Sequence, residues 1–242
     1  MANEHLRHGS RRPRVLVTGF PAFPGAPANP TEWLVHRLVE QADALGAELS
    51  AKISAAVIPC SYDGAPRALE QLAREVDPNI HLAFGLSRSA QGFVLEREAR
   101  NACPSLVLDT DGHCYGAGPI RTGAGESIPG TLPLEAIANA LARESLGVSF
   151  STDAGGYLCN YVFYLSAGGH IPSLRTDLSG FVHVPQIDEA AGPSSGAFTR
   201  DMLWRGSLVC LREAVLAWQR LGSCDFTLQG PHLSKGRSGC EH

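Results

Sequence analysis

Residues 148–167 read VSFSTDAGGYLCNYVFYLSA, and the fold prediction starts from this stretch. The run from Val148 to Ser151 has the residue types of a short strand, and the pair Gly155-Gly156 is typical of a turn. An apolar run that predicts a helix follows the glycines. A strand, a turn and a helix in this order form a βα unit, and they place Cys159 in the first turn of the helix.

The same alternation of strand and helix extends to both sides of this unit. It predicts an α/β protein, specifically a three-layer α/β/α sandwich with a central, largely parallel twisted sheet and a site in the loops at the strand ends. A glycine-rich segment at 112–130 lacks the apolar period of a strand and that of a helix, which predicts a surface loop near a site. The predicted strands cover 15–17, 53–58, 80–84 and 148–151. Among the predicted helices, one begins at Thr31, a second contains Leu69, Leu72 and Val76, a third begins at Pro133, and a fourth covers 202–221.

Length and composition are typical of one globular domain. The 242 residues are 44% hydrophobic and 18% charged, with a formal net charge of −4, which gives no indication of nucleic-acid binding. No apolar run approaches the roughly 20 residues that cross a bilayer, so we expect no membrane segment. Residues 14–221 are predicted to form a single catalytic domain. Residues 1–13 and 222–242 are polar and are expected to form a mobile N-terminal tail and a C-terminal tail.

The cysteine content predicts reduced thiols and a cytoplasmic location. An odd number of cysteines without CxxC spacing does not fit a disulfide framework. His113 and Cys114, with Asp109 and Asp111, suggest a metal site, but they lie in a glycine-rich loop without zinc-ligand spacing. We therefore expect neither a metal nor a cofactor. The seven cysteines are Cys60, Cys103, Cys114, Cys159, Cys210, Cys224 and Cys240.

Cys159 and His183 together suggest a catalytic thiol. The partial positive charge at a helix N-terminus favours the thiolate, and the free N–H groups there can bind an oxyanion. His183 lies in the apolar segment GFVHVP at 180–185, and a neutral imidazole is the commonest base for a catalytic thiol. Each residue alone has a simpler explanation, since buried cysteines and core histidines are common.

Four separated segments resemble the pyroglutamyl peptidase I family, also called pyrrolidone carboxyl peptidases, which are cytosolic cysteine peptidases. The resemblance spans residues 14 to about 190 and is specific because four motifs occur in order. The segments are VTGFPAFPG at 17–25 with Asn29-Pro30, LEREARN at 95–101, AGGYLCN at 154–160 and GFVHVP at 180–185.

The resemblance implies a catalytic triad and an activity. Cys159 corresponds to the nucleophile, His183 to the general base and acid, and Glu96 to the residue that orients the imidazole. The implied reaction removes an N-terminal pyroglutamate from peptides through a thioester acyl-enzyme, without metal or cofactor. Family members assemble as tetramers, so we expect a homotetramer.

The substrate of the family also explains four further residues. A lactam has no free α-amine, so apolar and aromatic walls suit it better than an acidic pocket. Phe20 and Phe23 correspond to the ring-gripping phenylalanines, and Tyr157 and Leu158 to other pocket positions. For the two phenylalanines the alternative is ordinary core packing.

Two departures from the family pattern keep other functions open. Leu106 occupies the position of a family arginine that is associated with the oxyanion, and Leu86 replaces a family glutamine in the loop after the third strand. A nearby arginine, Arg88, Arg97 or Arg100, is a candidate substitute for the missing one. The alternatives are a catalytically weak or silent relative that binds lactam-capped peptides, and a thiol amidohydrolase of another small amide.

Overall fold

A computed structural model describes residues 12–23, 26–187 and 197–224. Strands and helices alternate along this part of the chain. The strands are β1 (Arg14–Gly19), β2 (Lys52–Val57), β3 (Ile80–Leu86), β4 (Phe93–Glu96), β5 (Glu98–Arg100), β6 (Ser127–Pro129), β7 (Val148–Ser151) and β8 (Leu178–Val184). The helices are α1 (Pro30–Glu40), α2 (Ala42–Leu49), α3 (Gly64–Val76), α4 (Leu134–Arg143), α5 (Leu158–Ala167) and α6 (Arg200–Cys224).

Six of these strands form one sheet in the order β2-β1-β3-β8-β4-β7. Strands β2, β1, β3 and β8 are parallel to one another. Strand β4 is antiparallel to β8 and parallel to β7, so one edge of the sheet runs in the opposite direction. Strands β5 and β6 pair separately. The predicted α/β class with a largely parallel sheet is confirmed.

The two faces of the sheet carry two separate cores. One core joins alternate strand residues to α1, α2, α4 and α6, and includes Leu34, Leu82, Leu141 and Leu211. The other core joins the remaining strand residues to α3 and α5, and includes Leu16, Leu69 and Phe181. Because strand side chains alternate between faces, a single sheet supports both cores and the sandwich has three layers.

Several boundaries differ from the sequence prediction. Strand β3 continues through Gly85 to Leu86, although a glycine was expected to end it. Helix α6 continues to Cys224, beyond the predicted end at Leu221. Helix α2 and strands β4 to β6 were not predicted at all. Apart from residues 12, 13 and 222–224, the predicted tails lie outside the described residues.

Three findings concern the membrane segment and the metal site that were considered from the sequence. Among the described helices, none is long and apolar enough to cross a membrane. The described residues contain no group of three or more His, Cys, Asp or Glu side chains able to hold a metal ion. Asp109 instead accepts hydrogen bonds from the backbone N–H groups of Tyr62, Asp111 and His113 at 2.8–2.9 Å, so its carboxylate organises its own loop.

Candidate active site

Cys159 is the second residue of α5, where the βα unit of residues 148–167 was predicted to place it. Gly155 has a φ of 85°, a left-handed conformation that favours glycine, and it turns the chain from β7 towards the helix. Tyr157 is the N-cap residue, and no side chain caps the helix. The first N–H groups of α5 therefore have no intrahelical or capping acceptor and are available to a ligand oxygen.

Gly85 gives the thiol its space. A methyl group at this position would lie 2.9 Å from Cys159 Sγ and 2.6 Å from the ring of Phe181. The thiol thus rests against the backbone of β3, close to the strand end. The close contact between the thiol and this backbone explains why β3 contains a glycine at residue 85. The contact was not apparent from the sequence.

His183 and Glu96 form a buried pair. His183 Nδ1 lies 2.7 Å from Glu96 Oε1, and the two side chains are 8% and 2% exposed. Val94 is the register partner of His183 on the antiparallel strand β4, so Glu96 is two residues further along the same face. The resemblance alone had linked this glutamate to His183, and the structure brings the two side chains into contact.

The surroundings of His183 favour its protonated form. Burial disfavours the imidazolium, but the adjacent Cys159 thiolate and the Glu96 carboxylate outweigh burial and raise the pKa of His183 to about 9. The protonated form of His183 is therefore favoured at neutral pH, whereas a neutral imidazole was expected from the sequence. Cys159 and His183 line the same cavity.

The four predicted ring-binding residues line one cavity of about 810 Å3 together with the triad. Phe20 is 2% exposed and its ring centroid lies 6.5 Å from that of Phe181, so it also belongs to the core. Phe23 is half-buried and its ring lies 6.3 Å from Tyr157. Leu158 is buried beneath the cavity. All seven predicted site residues thus meet at one place, and their roles stay predictions.

The loop that carries the phenylalanines is fixed by α1. The Phe20 N–H donates to Thr31 Oγ1 at 2.9 Å, and Thr31 Oγ1 lies 3.2 Å from Phe20 O. The Asn29 side chain donates to Pro21 O at 3.1 Å and accepts from the Thr31 N–H. Asn29 was noted as part of a motif, and its buried amide explains why an Asn-Pro pair follows the phenylalanines.

Asn160 is a buried residue of the site region that sequence reasoning missed. Its side chain accepts from the Arg100 N–H and donates to the carbonyls of Arg100 and Ala102, each at 2.8 Å. These bonds attach the segment that follows Glu96 to the helix of Cys159. Its signals in the sequence were its place at the end of the motif at 154–160 and its polarity in the otherwise apolar run after Cys159.

The two departures from the family pattern have different positions. Leu86 lines the cavity, whereas Leu106 is 83% exposed and does not line it. None of the three arginines considered as substitutes lines the cavity formed by the described residues. Arg97 pairs with Glu135, and Arg100 pairs with Asp153.

A match to a family model identifies the family of this chain. A model described as pyroglutamyl peptidase matches residues 13–218. The chain belongs to the pyroglutamyl peptidase family. The resemblance inferred from the four segments is thereby confirmed, and the match covers almost the whole described structure.

Members of the pyroglutamyl peptidase family are also found among curated proteins. The pyrrolidone-carboxylate peptidase of Pyrococcus furiosus is 35% identical over 73% of this chain and 82% of that protein. The pyrrolidone-carboxylate peptidase of Pseudomonas fluorescens strain SBW25 is 32% identical over 85% of this chain and 92% of that protein.

Solved structures of the pyroglutamyl peptidase family agree with the fold. A mutant pyrrolidone carboxyl peptidase from P. furiosus superimposes with a TM-score of 0.73 at 31% identity, covering 84% of this chain and 98% of that chain. Pyroglutamyl peptidase I from Bacillus amyloliquefaciens has a TM-score of 0.74 at 24% identity, covering 85% and 98%. The second match supports the fold alone.

Proposed function

We propose that this chain is a cysteine exopeptidase that removes N-terminal pyroglutamate from peptides through a thioester acyl-enzyme. One observation carries the proposal. Cys159 at the start of α5, next to the His183–Glu96 pair, opens into a cavity walled by Phe20 and Phe23. A nucleophile, a proton donor and an aromatic pocket therefore meet in the family to which the chain belongs.

The proposed reaction uses the Cys159 thiolate as the nucleophile and the proton of His183 as the acid. The Cys159 thiolate adds to the pyroglutamyl carbonyl, and the N–H groups at the start of α5 stabilise the tetrahedral oxyanion. His183 then donates its proton to the departing amine, which leaves the acyl group as a thioester on Cys159. Water attacks the thioester as His183 accepts a proton from it, the C–S bond breaks with Cys159 leaving as the thiolate, and pyroglutamate is released. Glu96 holds the imidazole in position throughout.

The charges of the cavity support a neutral acyl group. Glu96 and Asp153 are its only carboxylates among the described lining residues. Glu96 is paired with His183, and Asp153 is paired with Arg100 and accepts from the Gly155 N–H. Both carboxylates thus already have a cationic partner, and a lactam ring, which has no α-ammonium, needs neither.

Hydrolysis of a pyroglutamyl aminocoumarin tests this function. The wild-type protein should release the fluorophore, and Cys159→Ser should abolish release because a serine hydroxyl is a much poorer nucleophile in this setting. Cys114→Ser is the matched control, since Cys114 is an exposed thiol away from the cavity. His183→Ala should lower kcat by at least the roughly 10²–10⁴-fold typical of general acid–base catalysis. Full activity of Cys159→Ser would remove the nucleophile assignment.

A weak or silent lactam-binding relative is the second candidate, and Leu106 at the family arginine position favours it. Loss of one oxyanion-stabilising group costs about 10²–10³-fold in kcat. Calorimetric binding of a pyroglutamyl peptide without turnover would establish that alternative. Leu106 itself is 83% exposed and outside the cavity, so Leu106→Arg should raise kcat with little change in KM only if the longer arginine side chain reaches the oxyanion. A panel of other acyl groups separates the third candidate, a thiol amidohydrolase.

We also propose a cytoplasmic location and a homotetramer. The five cysteines with described side chains are all free thiols, as is typical of a reducing compartment. The tetramer rests on the resemblance to the family, and light scattering of the purified protein measures it directly.

A further inference from the structure

The cavity is larger than the acyl group requires. At about 810 Å3 it lies near the upper end of the range for pockets that enclose drug-sized ligands, about 300–1,000 Å3. A pyroglutamyl group is a single five-membered ring with its carbonyl. Phe20, Phe23 and Tyr157 line one part of the cavity, and residues of β4, β7 and the segments beside these strands line another part.

That second part of the cavity includes one face of β4 and β7. His183 on β8 is the register partner of Val94 on β4, and Val94 is the register partner of Ser149 on β7. Register partners point to the same face, so these three side chains form a row across the sheet. All three line the cavity, together with Ser151 in the next row.

No helix covers this row in the part of the chain that the structure describes. Helices α4 and α6 pack on the other face of β4 and β7, where Phe93 and Leu95 belong to their core. On the face that carries His183, helix α5 packs over β8. Ser149 is exposed, Ser151 and Val94 are half-buried, and Gly92 and Gly147 beside them have no side chains. The result is a shallow groove with small walls that leads away from the triad.

We infer that this groove binds the first residues of the peptide that follows pyroglutamate, as an extended chain. The inference rests on the proposed function, because the leaving amine must lie beside His183 when it receives its proton. Small and hydroxyl-bearing walls let a peptide backbone approach closely. Since both carboxylates of the cavity are already paired, the groove selects for chain length rather than for side-chain charge.

The spacing between the strands sets the number of peptide residues that the groove accommodates. Adjacent strands lie about 4.8 Å apart, so Ser149, two strands from His183, is about 10 Å away across the sheet. An extended peptide advances about 3.4 Å per residue. The groove therefore accommodates about three residues after the pyroglutamyl group.

A chain-length series on the wild-type protein is the first test. The substrates are pyroglutamyl-alanine and its extensions by one to five further alanines, assayed by release of the new amino terminus. We expect kcat/KM to rise at least tenfold up to about three residues beyond pyroglutamate and then to level off, because remote contacts contribute to transition-state binding. A flat series with measurable cleavage would overturn the groove and leave the proposed function intact. No cleavage of any member would overturn the proposed function itself.

A blocking substitution is the second test. Ser149→Trp should lower kcat/KM for the longer peptides at least tenfold and change pyroglutamyl-alanine less than twofold. Thr152→Trp is the matched control, since Thr152 is exposed close by but outside the cavity, and it should alter neither substrate. Ser149→Leu provides a smaller block if the tryptophan variant fails to fold. Equal effects of either block on short and long substrates, or no effect, would overturn the inference.

Discussion

At the scale of single residues, the position of one proton organises the site. His183 lies between a thiol and a carboxylate, and both favour its charged form strongly enough to offset burial. The same contacts prepare two functions, because an imidazolium stabilises the thiolate and is already the acid that the departing amine needs. We therefore expect Glu96 to act on the chemistry through the imidazole of His183.

This arrangement predicts the alkaline side of the pH profile. The pKa of His183 is raised to about 9, so the proton is present below that pH and is lost as pH rises through it. We expect kcat/KM for a pyroglutamyl substrate to fall above about pH 9. Glu96→Gln removes a charge that raises this pKa, and should move the decline to lower pH by about 1–3 units.

Nuclear magnetic resonance of the His183 imidazole provides the matching measurement. The ring should titrate near pH 9 in the wild-type protein and at lower pH in Glu96→Gln and in Cys159→Ser, which lacks the thiolate. A profile that is identical in Glu96→Gln and in the wild type would contradict the role of the carboxylate. The kcat loss in Glu96→Gln should also be smaller than in His183→Ala.

The two phenylalanines are expected to behave differently. Phe23→Ala should lower kcat/KM about tenfold, since an aromatic wall worth about 1–2 kcal/mol is lost from a half-buried position. Alkylation of Cys159 by iodoacetamide should keep its rate. Phe20→Ala should lower both kcat/KM and the free energy of unfolding, because Phe20 is buried against Phe181. Parallel loss of alkylation and turnover in Phe23→Ala would mean that Phe23 serves the fold instead.

At the scale of elements, the local units could be predicted and the long-range pairings could not. The strand, turn and helix of residues 148–167 are contiguous, so their periods and glycines were sufficient. Strand β4 is only four residues long and pairs with β8, which is distant in sequence. Its residues were recognised by motif, but neither their strand conformation nor its antiparallel direction was readable from local pattern.

Asn160 joins two such elements and has a testable effect on stability. In Asn160→Ala, the buried amide no longer satisfies one N–H and two carbonyls of the segment at 100–102. Each buried polar group left unpaired costs about 1–3 kcal/mol, so we expect the free energy of unfolding in urea to fall by at least that amount.

A helical asparagine elsewhere supplies the control for Asn160. Asn139→Ala, at an exposed position in α4, should change the free energy of unfolding by about 0.5 kcal/mol or less in either direction. An Asn160→Ala protein as stable as the wild type would show that the three backbone groups find other partners.

At the scale of the whole molecule, the two cores are assigned to different tasks. The core under α3 and α5 packs against the helix of Cys159 and Phe20, whereas the core under α1, α2, α4 and α6 lies behind the sheet. Helix α1 also holds the phenylalanine loop through Thr31. The class of fold and the family were predictable from sequence, because motifs and alternation persist along the chain, and the seven residues predicted for the site line one cavity while their roles stay predictions. The cavity, the thiol against Gly85 and the open face of β4 and β7 depend on packing between distant segments, which no local pattern encodes.

The division between the cores predicts that stability and activity separate. Leu211→Ala, in the core behind the sheet, should lower the free energy of unfolding by about 2–5 kcal/mol and leave kcat per folded molecule unchanged. Leu221→Ala, the same change at a 53% exposed position of α6, should have almost no effect on either quantity. Chemical denaturation combined with active-site titration measures both. A kcat loss in Leu211→Ala would mean that the cores are coupled.

The distribution of the thiols has a practical consequence for labelling chemistry. Burial raises the pKa values of Cys60, Cys103 and Cys210 to about 12, so these three stay protonated and poorly nucleophilic under mild alkaline conditions. Replacing Cys114, Cys224 and Cys240 by serine would then leave one reactive sulfur, that of Cys159. A fluorescent haloacetamide should attach to such a protein with a stoichiometry of one, which would make the chain its own reporter of active-site occupancy.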